Sequence, residues 1–92
     1  MLETQRLDVW LFRTRLLKTR ALAARTIRTG RVRMTRQGDD CKRILKPHAK
    51  VRAGDVITFM RERELINIEV LSHPKRRGPA SAARLHYQDY DQ

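Results

Sequence analysis

Leu7, Trp10, Leu11 and Leu17, with Thr14 filling the place between the last two, recur at i, i+3, i+4, i+7 and i+10 and draw one stripe along a helix that starts near Arg6. Thr4 stands where an N-cap would, and Asp8 falls in the first turn, where the helix dipole favours an acid. Val9, Phe12 and Leu16 form a second stripe nearly opposite. The helix is therefore packed on two sides or offers Phe12 to a partner, and packing is the ordinary use of an aromatic in such a stripe. Lys18-Thr19-Arg20 interrupts the pattern. Thr19 can then cap a second helix over residues 20–29, built on Ala21, Leu22, Ala23, Ala24 and Ile27 and stopped by Gly30, which accepts the left-handed conformation beyond a helix end.

After Gly30 the period becomes two. Val32 and Met34 alternate with Arg31, Arg33 and Thr35, as in a half-buried strand. Residues 36–54 show no clear period; Gln37-Gly38-Asp39-Asp40 reads as a turn, and Ile44, Leu45 and Val51 are expected to reach the core. Gly54-Asp55 is a turn before a hairpin formed by residues 56–60 and 66–70. Pro79 opens a helix over residues 80–87, and the polar residues 88–92 are expected to fray. The sum is an α+β fold: two N-terminal helices, a small and mostly antiparallel sheet of about four strands, and a short helical C-terminal tail. Residues 1–71 make up the domain, and residues 72–92 the basic loop and tail.

At 92 residues the chain has room for one domain and little room for a deep catalytic cavity. Its apolar runs fall far short of the roughly 20 residues that span a bilayer, and its N-terminus shows no secretory pattern, so no membrane contact and a cytoplasmic location are expected. One cysteine, Cys41, and three scattered histidines offer no metal-ligand spacing, and no cofactor is expected. His48, His73 and His86 could in principle cleave RNA by acid-base chemistry, but no neighbouring carboxylate is evident to orient them, and an enzyme is not expected.

Charge changes the picture most. The net charge is +11, and 16 of the 21 bases are Arg, whose planar fork matches two phosphate oxygens at once. Between Asp8 and Asp39 there is no acid, against nine bases: Arg13, Arg15, Lys18, Arg20, Arg25, Arg28, Arg31, Arg33 and Arg36. A surface that serves solubility alone mixes its signs, whereas an unmixed field of one sign marks a polyanion partner. A nucleic acid fits. A short connection between two helices also matches a DNA-reading helix-turn-helix, although the strand after Gly30 is as basic as the helices.

Arg6-Leu7-Asp8, Leu11, Arg15, Lys18-Thr19-Arg20, Ala23, Ile27 and Gly30-Arg31-Val32, followed by Gly54-Asp55 and an apolar strand, resemble the ribosomal S-four-type RNA-binding domain, or αL motif. Within that family, residues 6–12 and 18–23 together with Arg76-Arg77-Gly78-Pro79-Ala80 resemble the branch of small bacterial heat-shock protein fifteen. Thr35-Arg36 stands where that pattern carries Asn-Gly, and residues 30–55 form a longer stretch than usual. The resemblance implies RNA binding through Arg15, Lys18, Thr19, Arg20, Arg31 and Arg33. It further implies a ribosomal setting: structured ribosomal RNA or tRNA on the large subunit, in stress or in the recycling of stalled subunits that hold a nascent chain. The charge pattern adds Arg6, Arg13, Arg25 and Arg28 to the candidate surface, with Lys75, Arg76 and Arg77 as a second, flexible contact. No role is assigned to Lys42, Arg43 or Lys46, and a monomer is expected.

Overall fold

The computed structural model describes residues 3–90. In chain order the elements are β1 (Gln5–Arg6), α1 (Leu7–Arg13), α2 (Arg20–Arg28), β2 (Val32–Thr35), β3 (Lys42–Ile44), β4 (Lys50–Val51), β5 (Val56–Arg61), β6 (Glu64–Val70), α3 (Ala80–Ala83), a 3-10 turn (Arg84–His86) and β7 (Tyr87–Asp89). The main sheet has the order β3-β2-β5-β6-β7 with every neighbouring pair antiparallel, and β1 pairs separately with β4. The α+β class expected from the hydrophobic pattern is what forms, with more strands than the pattern announced.

The inner face of the sheet carries Val32, Ile57, Phe59, Ile66, Ile68 and Val70, and Leu7, Trp10, Leu11, Ala23 and Ile27 of the two helices close over it. Trp10 is wholly buried and meets Tyr87 edge to face, with ring centroids 6.4 Å apart. Phe12 packs as well: the Arg77 guanidinium lies over its ring at 4.8 Å.

α1 is shorter than its stripe. It stops at Arg13, with Thr14 as C-cap, because Arg15 turns left-handed at φ 62°. Leu16 and Leu17 then return to the core from the loop, so their spacing mimics helix without being helix. Thr4 does not cap α1. The first N–H groups of the helix, on Leu7 and Asp8, donate instead to Ala49 O at 2.8 Å and Pro47 O at 3.1 Å, partners remote in sequence.

α2 follows its signals closely. Thr19 Oγ1 accepts from Leu22 N–H at 2.9 Å, and the far end closes with Gly30 N–H on Ile27 O and Arg31 N–H on Thr26 O, the paired bonds of a Schellman motif. Gly30 has φ +78°, and a Cβ there would sit 3.0 Å from Arg43 Cδ. The Arg43 chain can swing aside, so the backbone conformation is the main cost. Gly30→Ala is expected to cost about 1 kcal/mol and lower the melting temperature by roughly 4–8 °C. An unchanged melt would mean that the helix ends equally well without glycine.

Three expectations need correction. Leu45 is 56% exposed, because it lies just beyond β3, on the opposite side of the strand from Ile44, which packs against the core. The tail is helical only to His86, after which Tyr87–Asp89 pair with β6, so residues 88 and 89 are tied into the sheet. Asn67 reinforces this by donating to Tyr90 O at 2.9 Å. Residues 1, 2, 91 and 92, at the ends of the expected domain and tail, lie outside the described residues.

The irregular residues 36–55 are anchored by one carboxylate. Asp55, 2% exposed, accepts Arg36 Nε at 2.9 Å and Nη2 at 3.0 Å, and also Arg52 N–H at 2.8 Å. That hydrogen bond raises the Arg36 pKa above the ordinary arginine value, against the smaller lowering effect of burial. The arginine found where the resemblance expected Asn-Gly thus has a structural use: it fixes the end of β2 to the turn before β5.

Candidate nucleic-acid interface

The left-handed turn at Arg15 brings the chain back against α1, where Leu17 N–H donates to Leu11 O at 3.1 Å, before α2 begins. Between that turn, α2 and the end of β5 runs an open groove of about 550 Å³, lined by Arg15, Lys18, Leu22, Arg31, Met60 and Arg61 among others. Lys18 and Arg31 are exposed, and neither side chain has a hydrogen-bonding or ionic partner among the described residues. Arg15 donates Nε to Gly78 O at 2.6 Å, which fixes the guanidinium and leaves its two terminal nitrogens for an outside acceptor.

A second basic surface adjoins it on the outer face of the sheet. Strand alternation turns Val32 inward and Arg33 outward, and the register sets Arg33 directly opposite Arg43 of β3 and Thr58 of β5. Like charges facing each other across an antiparallel pair destabilise it by a few tenths of a kcal/mol, and an anion between them would remove that cost. Both arginines are exposed.

Several other members of the expected surface, Arg6, Arg13, Arg20 and Arg77, are engaged inside the protein. Asp8, with a side chain 4% exposed, takes Arg6 at 3.0 Å and lies 3.7 Å from Arg20 Nε, so one buried acid ties the starts of both helices and offsets two of the bases. Arg13 donates to Pro74 O at 3.1 Å. Arg77 donates to Phe12 O at 3.2 Å and Lys18 O at 3.4 Å, besides covering the Phe12 ring, and so acts as a fastening for the loop. Thr19 is an N-cap by geometry. Arg25 and Arg28 sit in the last turn of α2, where they complement the helix dipole. Lys75 and Arg76 are exposed and line a separate cleft of about 240 Å³ with Arg13 and His86. Of the expected surface, Arg15, Lys18 and Arg31 meet at the groove and Arg33 lies on the outer sheet face, while Arg25 and Arg28 stand exposed on α2 and Lys75 and Arg76 at the cleft.

Arg43 and Arg61 join this surface although sequence reasoning gave them no part in it. Their positions follow from strand register, and a correct pairing of β2 with β3 is the signal that would have found Arg43. Arg61 closes the groove wall by donating to Leu16 O at 3.0 Å and to Glu64 at 3.2 Å. Among the histidines, His73 does have a carboxylate: its Nδ1 meets Glu3 at 2.9 Å, while Nε2 meets Val51 O at 2.9 Å. Both ring nitrogens are occupied within the protein. His86 Nδ1 meets Ser72 Oγ at 2.7 Å, and His48 is exposed.

No helix among the described residues is long and apolar enough to cross a membrane. No protein-family model and no curated protein matches the chain. Among solved structures the chain is similar to Vibrio cholerae heat shock protein 15, solved as a trimer, with 28% identity and a TM-score of 0.83 over 96% of this chain and 83% of that one. In fold this chain is thus similar to heat shock protein 15, the same small bacterial protein that its residues 6–12 and 18–23 resemble.

Proposed function

We propose that this chain is a non-catalytic RNA-binding protein that recognises structured ribosomal RNA or tRNA on the large ribosomal subunit. The observation that carries the reading is the gathering of Arg15, Lys18 and Arg31 around one groove, with guanidinium and ammonium groups left free, beside an unpaired Arg33–Arg43 face. Similarity to heat shock protein 15 supports a stress-linked setting, and the resemblance of residues 6–12, 18–23 and 76–80 adds to the proposal a ribosomal setting in the cytoplasm, including the recycling of stalled subunits with a nascent chain. A single chain holds the whole groove, so a monomer suffices to bind.

The physics of the contact is counterion release. If about six cations each neutralise a phosphate, log affinity falls against log salt with a slope of roughly −4 to −5. Fluorescence anisotropy of a labelled ribosomal RNA fragment between low and moderate salt reads this slope directly. A flat response rules the proposal out. Duplex DNA added as competitor separates RNA from DNA recognition, since A-form geometry and 2′-hydroxyls distinguish the two. Co-sedimentation with free large subunits tests the ribosomal setting, and absence from every ribosomal fraction leaves RNA binding alone.

A further inference from the structure

The apolar part of the groove is unexplained by phosphate binding. Alternation along β5 turns Phe59 inward and Met60 outward, and Met60 is 54% exposed opposite Leu65, which is 62% exposed. The next pair along this face is polar, with Thr58 Oγ1 donating to Asn67 Oδ1 at 2.6 Å. Two adjacent large apolar side chains thus stand exposed at this end of the hairpin, and one of them, Met60, lines the cationic groove. A thioether is polarizable and adapts to flat partners. Met60 shares the groove with the part-buried Leu22, while Arg15, Lys18 and Arg31 line the same space.

From this juxtaposition, and resting on the RNA-binding reading above, we infer that the groove receives an unpaired nucleotide of the RNA, its base on Met60 and Leu22 and its flanking phosphates on Arg15, Lys18 and Arg31. A continuous duplex shows phosphates and stacked, inaccessible bases, so it could use the cations and would leave Met60 in water. A base splayed from a loop or bulge covers the apolar floor and keeps its phosphates at the rim. The space of about 550 Å³ lies within the range of small-ligand sites, which is ample for one nucleotide. Glu62 also lines the groove, the one acid among these cations. It repels phosphate, yet it can accept a hydrogen bond from the exocyclic amine of a base. Its backbone is left-handed, at φ 50°, in a two-residue turn with Arg63 at φ 73°, a conformation that favours Asn-Gly.

The test compares two RNA hairpins of equal length and charge, one fully paired in its stem and one with a single bulged 2-aminopurine. The bulged RNA is expected to bind at least tenfold more tightly, with a change in 2-aminopurine fluorescence on binding. Met60→Asp is expected to erase both differences, while Met60→Leu keeps them. Since Met60 is on the surface, neither variant should alter the melt. Equal affinity for the two hairpins, with the steep salt slope intact, overturns the inference and leaves RNA binding standing. Loss of the salt slope on both hairpins removes the RNA reading itself. Concentration-dependent self-association abolished by Met60→Asp, without discrimination between hairpins, would show a second copy of this chain on the apolar pair and overturn the inference as well.

Discussion

Trp10→Ala is expected to leave the domain unfolded or close to it at 37 °C. The side chain has no exposed surface, and truncating a buried tryptophan costs about 3–5 kcal/mol through lost burial and the cavity left behind. A domain of this size has about 5–14 kcal/mol in total, at 0.05–0.15 per residue. The position matters beyond its volume. Trp10 Nε1 donates to Ser72 O at 3.0 Å, and the ring meets Tyr87 of β7 at 6.4 Å, so this residue joins α1 to the basic loop and to the last strand. At roughly 4–8 °C per kcal/mol, the melting midpoint should fall by at least about 12 °C. Trp10→Phe keeps most of the apolar volume and gives up the hydrogen bond, and should cost about 1–2 kcal/mol. Circular dichroism melts of both variants check this. Equal and small losses would show that the helix docks without its aromatic anchor.

The helix-to-strand core of this fold is legible in its residues because those signals are local. Thr19 as cap, Gly30 as stop and the alternation of Val32 and Met34 act within a few positions of one another, and each has the predicted role. Where partners are distant the reading fails. The N-terminus of α1 is satisfied by carbonyls of Pro47 and Ala49, which no local pattern could announce, so Thr4 took a role it does not have. β3 has a single apolar residue, Ile44, and β7 has only Tyr87 turned to the core, so neither short strand carries an alternation that stands out. The end of α1 is hidden for another reason: Leu16 and Leu17 are buried with helical spacing on a backbone that has already left the helix.

The candidate site divides in the same way. An acid-free run in sequence marks the region, and Lys18, Arg31 and Arg33 do stand exposed within it. Yet charge counts treat every arginine alike. Arg6 and Arg20 share Asp8, Arg13 holds Pro74 and Arg77 holds Phe12; all but the Arg6–Asp8 contact are long-range pairings, and none is visible to composition. Conversely Arg43 enters only because β3 is registered against β2. The free charge of the groove is thus smaller than the formal charge of the segment, and more sharply placed.

Removing the free charge should weaken RNA binding about a hundredfold at physiological salt while the fold persists. The variant that tests this combines Arg15→Gly, Lys18→Ala and Arg31→Ala. Glycine is chosen at residue 15 because the backbone there is left-handed at φ 62°, where alanine would keep the strain and glycine relieves about 1 kcal/mol of it, offsetting the lost bond to Gly78 O. Lys18 and Arg31 have no partner among the described residues, so their truncation breaks no ion pair. Each lost phosphate contact releases about 0.7–0.9 fewer counterions. The salt slope should therefore flatten by about 2–3, and near 0.15 M salt the three contacts together amount to roughly two decades of affinity. Anisotropy titrations at several salt concentrations, with a melt of the same sample, read both quantities. Arg25→Ala with Arg28→Ala serves as the matched control, since those side chains complement the α2 dipole. A triple variant that bound with unchanged slope, or a double control that lost as much, would move the RNA surface from the groove to the outer flank of α2.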